Sequence, residues 1–355
     1  MVEPLKKDTP TEEIPLDKNG IPTDGKMRAV IMDKFGDTLR VERIPIPKPA
    51  SGQVLVKVEA AAINPSDLAF IMGKYTDKIK PPIHVGFEGS GTVVENGGGI
   101  MGWSIKGKRV AIVGGPENSG TWAEFAVVGA DKCVTLGRNT SFEQGACFFV
   151  NPLTVIAFED IISKNKHRAV IQTAAASQLG RMLNRVLAKK KVPVINIVRR
   201  EEQRATLKAE GAEYILNSSD ENFEKELKEL AHKLNATVAF DAVGGDLTYK
   251  VVRNMPISST VYVYGVLSQS NLTDVDPGDM IGRNQTIKGF LLSYWLEEKG
   301  KVELLRIIMR LQSEINTDFK SEINKEFKLE EANEACKYYW ENMSKGKNVI
   351  KPWLK

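Results

Sequence analysis

The chain has 355 residues, and since one domain usually takes about 100–200 residues, we expect two packed units. Hydrophobic residues make up 42% of the chain and charged residues 26%, which is typical of a globular protein and excludes a disordered or fibrous one. The formal net charge of +4 is small and the basic residues are dispersed, so nucleic acid is not an expected partner.

The spacing of the cysteines and the N-terminal residues indicate the cellular compartment of the protein. Cys133, Cys147 and Cys336 are too widely spaced for a disulfide framework or a metal-binding motif. Residues 1–26 lack both the apolar core of a secretory signal and the Arg-rich character of a transit peptide, which predicts a flexible tail. No apolar run is long enough to span a membrane. We therefore expect a cytoplasmic protein without a membrane partner.

Residues 27–150 show short apolar runs separated by Gly and Pro. This pattern predicts a mostly β unit with long connecting loops. The runs are Arg28–Met32, Val54–Ala62, Gly91–Val94, Lys108–Val113 and Ala123–Val128.

Beyond Arg168 the pattern changes to strands that alternate with amphipathic helices. Strands are predicted at 168–173, 192–198, 214–216, 237–240 and 260–264, and a further helix at 302–315. Because neighbouring parallel strands need crossover helices, this alternation predicts a doubly wound parallel sheet of the α/β class.

In such a sheet, the turn after the first strand receives the phosphates of a nucleotide. Here that turn spans residues 173–180 and has one glycine. It predicts either phosphate binding or merely tight packing of strand on helix. The candidate ligands are Ala176, Ser177, Gln178, Leu179 and Gly180.

Two arginines follow the second strand of this sheet. Guanidinium groups offer paired donors that suit a phosphate, so Arg199 and Arg200 predict binding of NADP rather than NAD. The alternative is a solvated helix start, in which Glu201 favours the helix dipole.

Several short motifs occur in an order and spacing that resemble the zinc-free medium-chain dehydrogenase/reductases, which include quinone oxidoreductases and 2-enoyl thioester reductases. They are Ile63–Asp67, Gly86–Gly91, Gly120–Glu124, Asn151–Thr154, Gly211–Glu213, Asp241–Gly245 and Tyr264–Gly265. The resemblance implies a GroES-like β-rich catalytic domain, residues 27–150 and 291–355, interrupted by a Rossmann NADP-binding domain, residues 151–290. It also implies a homodimer joined through the nucleotide-domain sheets and a small-molecule substrate.

Zinc-binding relatives carry a Cys and a His at places where this chain has Asn64–Asp67 and Phe87. A catalytic zinc needs about three protein ligands, and the only histidines are His84, His167 and His232. We therefore expect no metal.

The resemblance further implies roles for individual residues. Tyr75 matches a proton-donating tyrosine, and Asn64 is a second catalytic candidate whose amide could hold a carbonyl or a ribose. Their alternatives are a packing residue for Tyr75 and a cap before Pro65 for Asn64. Residues implied around the nicotinamide and its ribose are Asn151, Thr154, Tyr264, Gly265, Leu267, Phe290 and Leu292, and Lys347 is implied to reach the cofactor unless it is a solvated charge in a basic tail.

Three functions follow from these features. The first is NADPH-dependent hydride transfer to a quinone or an α,β-unsaturated carbonyl without a metal. The second is reduction of a 2-enoyl thioester with Tyr75 as proton donor. The third is a catalytically weak NADPH-binding protein with a structural or regulatory role.

Overall fold

The computed structural model of the chain describes residues 14–74, 80–115 and 119–354. Its N-terminal part is rich in strands: β1 (Lys26–Met32), β2 (Arg40–Pro45), β3 (Gln53–Ala62), β4 (Ile83–His84), β5 (Glu88–Asn96), β6 (Arg109–Val113), β7 (Phe125–Gly129) and β8 (Cys133–Thr135). Short helices lie between and after them: α1 (Pro65–Ile71), α2 (Ile100–Ile105) and α3 (Phe142–Gly145). The predicted β-rich unit is confirmed.

The long strand β3 organises this unit. It pairs antiparallel with β5 on one side and with β7 and the C-terminal strand β16 (Lys347–Ile350) on the other. Its alternate side chains Val54, Val56 and Val58 are fully buried and share a core with Phe327 and Ile350. The C-terminus of the chain therefore completes the β-rich domain.

The middle of the chain forms the doubly wound parallel sheet that the sequence predicts. Its elements are α4 (Val150–Lys164), β9 (Ala169–Gln172), α5 (Gln178–Lys189), β10 (Val194–Val198), α6 (Glu201–Ala209), β11 (Tyr214–Asn217), α7 (Phe223–Leu234), β12 (Ala236–Asp241), α8 (Asp246–Asn254), β13 (Thr260–Val263), α9 (Pro277–Gly282) and β14 (Thr286–Gly289). The strand order is β11-β10-β9-β12-β13-β14, and every pairing is parallel. The order reverses beside β9, where such sheets bind their ligands.

Helices cover both faces of this sheet. On β9, Val170 packs on the face that carries Phe158 of α4, whereas Ile171 packs on the face that carries Leu227 of α7. Burial on both faces explains why the strands are continuous apolar runs, without polar alternation.

The chain continues with α10 (Leu292–Glu297), α11 (Lys301–Glu314), β15 (Ile323–Phe327) and α12 (Ala332–Asn342) before β16. Trp295 of α10 and Leu311 of α11 belong to the same core as Phe158, so both helices pack on the parallel-sheet unit. Strand β15 pairs with β16 and so joins the β-rich domain. No helix in the described ranges is long and apolar enough to cross a membrane.

Candidate active site

A cavity of about 800 Å³ lies between the two units, at the carboxyl ends of the parallel strands. One wall consists of the residues that follow β9, β10, β11, β12 and β13, and the opposite wall comes from the β-rich domain and the end of α12. The size and the position are those of a cofactor or substrate site in an α/β protein.

A buried carboxylate holds two of these strand ends together. Asp241, the last residue of β12, accepts hydrogen bonds from Thr173 Oγ1 at 2.6 Å and from the Val243 N–H at 2.8 Å. Thr173 Oγ1 in turn accepts the Ala242 N–H at 2.9 Å. The Asp241–Gly245 motif thus fixes the floor of the cavity between β9 and β12.

The predicted phosphate turn lines the cavity through Ala176, Ser177, Gln178 and Leu179. Ser177 caps α5, since its Oγ accepts the Gly180 N–H at 3.2 Å. Gly180 does not line the cavity but packs beneath the turn, where a Cβ would come 2.4 Å from the Ala175 carbonyl oxygen. The amino end of a 12-residue helix therefore faces the cavity and favours an anion there.

The two predicted arginines lie at one end of the cavity, after β10. Arg199 is exposed and has no ion-pair partner within the described part of the chain. Arg200 is half-buried, pairs with Glu202 at 2.8 Å, and donates to Ser344 Oγ at 3.1 Å across the cavity. Arg199 is thus the guanidinium that is available to a ligand, while Arg200 also links the two walls.

At the other end, the predicted nicotinamide residues converge. Asn151 and Thr154 come from α4, and the remaining residues that line this end of the cavity are Tyr264, Gly265, Leu267, Phe290 and Leu292. The Phe158 ring supports them from below, with ring centroids 5.0 Å from Tyr264 and 5.1 Å from Phe290. Desolvation raises the pKa of the Tyr264 phenol above its ordinary value, so it stays protonated at neutral pH.

Asn64 and Lys347 do not line the cavity but lie together in a buried network beneath it. The Lys347 ammonium donates to Asn64 Oδ1 and, at 3.3 Å, to the Ile63 carbonyl. Asn64 Nδ2 donates to Glu88 Oε1 at 2.9 Å. Glu88 Oε2 accepts the Phe149 and Val150 N–H groups at 3.0 Å each, and these begin α4. The network therefore positions the helix that carries Asn151 and Thr154.

Asp67 is the second carboxylate of this network and is fully buried. It accepts the Asn64 N–H at 2.8 Å and the Phe87 N–H at 3.0 Å. Burial raises the pKa of Asp67 to about 7, and the nearby charge of Glu88 adds to this. Burial thus favours the neutral carboxylic acid of Asp67 more than it is favoured in a solvated aspartate.

Tyr75 lies outside the described residues, so its role stays a prediction. Phe87, at the place where zinc-binding relatives have His, lines the cavity. His84 is half-buried and does not line the cavity. Among the residues that the structure describes, no group of three or more His, Cys, Asp or Glu side chains could hold a metal ion.

Several polar residues of the cavity are not among the predicted ligands. Ser218 and Ser219 lie beside Arg199, because they directly follow β11, the strand next to β10. The rule that ligands bind at strand ends could have found them. Ser66 lies within the Ile63–Asp67 motif but was not among the predicted ligands. No signal in the sequence indicated Trp340 or Ser344, because their place depends on how the two domains pack.

Comparisons with known proteins agree with this geometry. Residues 50–138 match the alcohol dehydrogenase GroES-like domain, and residues 179–306 match the zinc-binding dehydrogenase family. A solved structure named "putative NADPH:quinone reductase" from Mesorhizobium loti is 34% identical, covers 92% of this chain and 99% of its own, and has a TM-score of 0.85. The mitochondrial enoyl-[acyl-carrier-protein] reductase of Arabidopsis thaliana is 28% identical over 79% of this chain and 75% of its own length. Prostaglandin reductase-3 of Bos taurus is 25% identical over 94% of this chain and 92% of its own. The chain belongs to the medium-chain dehydrogenase/reductase superfamily.

Proposed function

We propose that this chain is a reductase that binds NADPH in the cavity and directs its hydride to a quinone or an α,β-unsaturated carbonyl. The observation that carries the proposal is Arg199 at the carboxyl end of β10, exposed and without an ion-pair partner among the residues that the structure describes, on the same wall as the amino end of α5. A cation at that place accommodates the 2′-phosphate that distinguishes NADP from NAD. The name of the Mesorhizobium loti protein, which cites NADPH and a quinone, supports this cofactor.

Each part of the cavity has a task in this proposal. Arg199, Ser218 and Ser219 bind the 2′-phosphate through charge and hydroxyl donors. The amino end of α5 binds the pyrophosphate. Asn151 and Thr154, held in place by the network beneath α4, orient the nicotinamide end. The bound dinucleotide supplies the hydride, and the protein supplies orientation and electrostatics.

The acceptor side of the cavity is mostly apolar. Phe87, Phe149, Leu291 and Leu296 form its walls, which suit a flat, weakly polar acceptor. Hydride addition to a quinone or an activated alkene leaves an anionic oxygen, which needs a proton or a hydrogen bond. The Ser66 hydroxyl lines this region and has no hydrogen-bond partner among the described residues, so it is a candidate donor.

The proposed reaction uses no metal, because the residues at the places of the relatives' zinc ligands do not suit zinc. Zinc-binding relatives carry Cys near Asn64–Asp67 and His at the place of Phe87. Here Asn64 is bound to Lys347 and Glu88, and Phe87 offers no ligand atom. The acceptor oxygen is therefore stabilised by hydrogen bonds.

Curated relatives favour a second candidate, a 2-enoyl thioester reductase. Four enoyl-[acyl-carrier-protein] reductases named as mitochondrial, from Arabidopsis thaliana, Xenopus tropicalis, Caenorhabditis elegans and Bos taurus, are 26–28% identical to this chain. In this reading Tyr75 donates the proton to the substrate carbon. Tyr75→Phe then lowers alkene reduction at least about tenfold and spares quinone reduction, whose product solvent can protonate.

NADPH oxidation across quinones, enones and enoyl thioesters tests the proposal. We expect turnover with at least one quinone or enone, and faster turnover with an enoyl thioester would favour the second candidate. Binding of NADPH without consumption by any acceptor would contradict both and would favour a structural or regulatory NADPH-binding protein.

We also propose a homodimer joined through the nucleotide-domain sheets. Strand β14 is one of the two outer strands of the parallel sheet, and its residues Thr286, Lys288 and Gly289 are exposed. An open strand edge of this kind can pair with a second copy. Light scattering of the protein as it elutes from a size-exclusion column measures its mass. A measured mass of 39.3 kDa, that of one chain, would contradict the dimer.

A further inference from the structure

Tyr339 of α12 lines the cavity from the wall that belongs to the β-rich domain. The residue is only 5% exposed. It belongs to the core of that domain together with Leu68 of α1, and close packing of this kind holds a ring in one place. The phenol is therefore a fixed part of the cavity wall.

The Tyr339 hydroxyl is free to bind a molecule in the cavity. It makes no hydrogen bond to another residue in the described part of the chain. Nor is it among the polar atoms that are both fully enclosed and without a partner, so it keeps access to the cavity. A buried tyrosine hydroxyl usually has a hydrogen-bond partner. A ligand oxygen in the cavity can be that partner, because a phenol donates one hydrogen bond.

The position of Tyr339 along the cavity is that of the acceptor. Ser344, which lies at the arginine end, follows Tyr339 by more than one helical turn. At the other end, the charges of Asp67 and Glu88 act on the Tyr339 phenol, and Glu88 binds the first amides of α4. Tyr339 thus lies toward the nicotinamide end, on the wall opposite Tyr264.

The surroundings of the Tyr339 hydroxyl keep it protonated. Burial raises the pKa of this phenol above its ordinary value, and the charges of Asp67 and Glu88 add to this because they disfavour a phenolate. A hydroxyl of this kind stabilises an anionic oxygen through a hydrogen bond without giving up its own proton.

From this geometry, and resting on the proposed function, we infer that the Tyr339 hydroxyl is a catalytic hydrogen-bond donor to the oxygen of the acceptor. When hydride adds to an enone, a C–H bond forms at the β-carbon and the alkene electron pair shifts toward the carbonyl oxygen, which becomes anionic. Tyr339 donates to this oxygen, and water then supplies the proton. Tyr339 joins Ser66, the other candidate donor on this wall. Its role differs from that of Tyr75, which is predicted to donate a proton to carbon.

Steady-state kinetics of Tyr339→Phe test this role. The variant keeps the ring that packs in the core and removes only the hydroxyl. At saturating NADPH, we expect kcat/KM for the quinone or enone that the wild type reduces fastest to fall at least about tenfold. The Kd of NADPH, measured by fluorescence titration without an acceptor, should stay within about twofold of the wild-type value.

Binding of an anionic ligand gives a readout that does not depend on turnover. 4-Nitrophenolate carries a charged oxygen on a flat ring, as a reduced quinone does, and 4-nitroanisole is its uncharged analogue. We expect Tyr339→Phe, in complex with NADP⁺, to bind 4-nitrophenolate at least about tenfold more weakly than the wild type does. The Kd of 4-nitroanisole should change by less than about twofold.

Tyr338→Phe is the matched control. Tyr338 precedes Tyr339 on the same helix but does not line the cavity, and its hydroxyl lies 3.4 Å from Nδ2 of Asn324. Removal of the Tyr338 hydroxyl should change neither kcat/KM nor the Kd of 4-nitrophenolate by more than about twofold.

Three results would overturn the inference: an unchanged kcat/KM in Tyr339→Phe, equal binding of 4-nitrophenolate by Tyr339→Phe and the wild type, or an equal loss in Tyr338→Phe. A wild type that binds NADPH but consumes it with no acceptor would overturn the proposed function. The binding of 4-nitrophenolate would then still decide whether Tyr339 donates to an anionic oxygen, so the two failures are distinguishable.

Discussion

The ammonium group of Lys347 donates a hydrogen bond to the side-chain oxygen of Asn64, although 283 residues separate them in the chain. Both residues are almost fully buried, and the bond links strand β16 to the residue that precedes α1. Through Asn64 and Glu88 it also reaches the first amides of α4. The C-terminus thus helps to set the helix that lines the cavity.

Replacement of Lys347 by Met tests this connection. The variant leaves the buried carboxylates of Glu88 and Asp67 without the cation that lies among them. Removing one partner of a buried charge network costs about 3–5 kcal/mol, so we expect the free energy of unfolding in urea to fall by that amount. Lys345→Met, at an exposed lysine two residues away, is the control and should change the free energy by less than about 0.5 kcal/mol. A similar small change in Lys347→Met would show that the ammonium does not stabilise the network.

The pKa of Asp67 predicts a pH dependence of stability. Burial raises this pKa from 3.8 in the unfolded chain to about 7 in the folded one, so the folded state binds more protons between these values. The contribution of Asp67 to stability is present at low pH and is lost as the pH rises to 7, by at most about 1.4 kcal/mol per pH unit. In Asp67→Asn this contribution disappears.

Urea unfolding of the wild type and of Asp67→Asn, from about pH 4.5 to about pH 7, measures the effect. As the pH rises, the free energy of unfolding of the wild type should fall relative to that of Asp67→Asn. Asp274→Asn, at an exposed aspartate, should show no such shift. A difference that is constant over this range would contradict the raised pKa.

Gly180→Ala probes the close packing beneath the phosphate turn. The added Cβ would meet the Ala175 carbonyl oxygen at 2.4 Å, so α5 must move away from the turn. Overpacking of this kind costs about 1–3 kcal/mol, and we expect weaker binding of both dinucleotides as well. Gly282→Ala, where the Cβ meets nothing within 4 Å, is the control for glycine removal. Equal stability of the two variants would show that the packing at Gly180 is loose.

The sequence predicted the parallel sheet well because its signals are local. Strands β9 to β13 are short apolar runs, and the helices between them carry apolar residues on one face, so each element is visible within about a dozen residues. The predicted phosphate turn and Arg199 both line the cavity, because ligands in such a sheet bind at the carboxyl ends of the strands. Their role as ligands stays a prediction.

The C-terminal strands were not predicted, and the reason is their polar content. Strand β16 has the sequence KNVI, with Lys347 and Asn348 both buried. A lysine in a basic tail is ordinarily solvated, and distant partners, the Asn64 side chain and the Ile63 carbonyl, make its burial possible. Edge strand β15, with Asn324, Lys325 and Glu326 among its five residues, lacks the alternation that marks a strand.

The position of the cavity could be predicted from the sequence, but not all of the residues that line it. Asn151, Tyr264 and Phe290 were found by resemblance, and they line the cavity. Ser344 and Trp340 line the opposite wall, and their place depends on how the β-rich domain packs against the parallel sheet. Such long-range packing has no periodic signature in the chain.

Steady-state kinetics with both dinucleotides test most directly whether the protein uses NADPH and recognises its extra phosphate through Arg199. The wild type should have a much lower KM for NADPH than for NADH. Arg199→Ala, alone and with Arg200→Ala, should raise the KM for NADPH at least about tenfold and leave that for NADH within about twofold. Arg306→Ala, at an exposed arginine of α11, should change neither. Equal losses with NADPH and NADH, or no preference in the wild type, would contradict the claim.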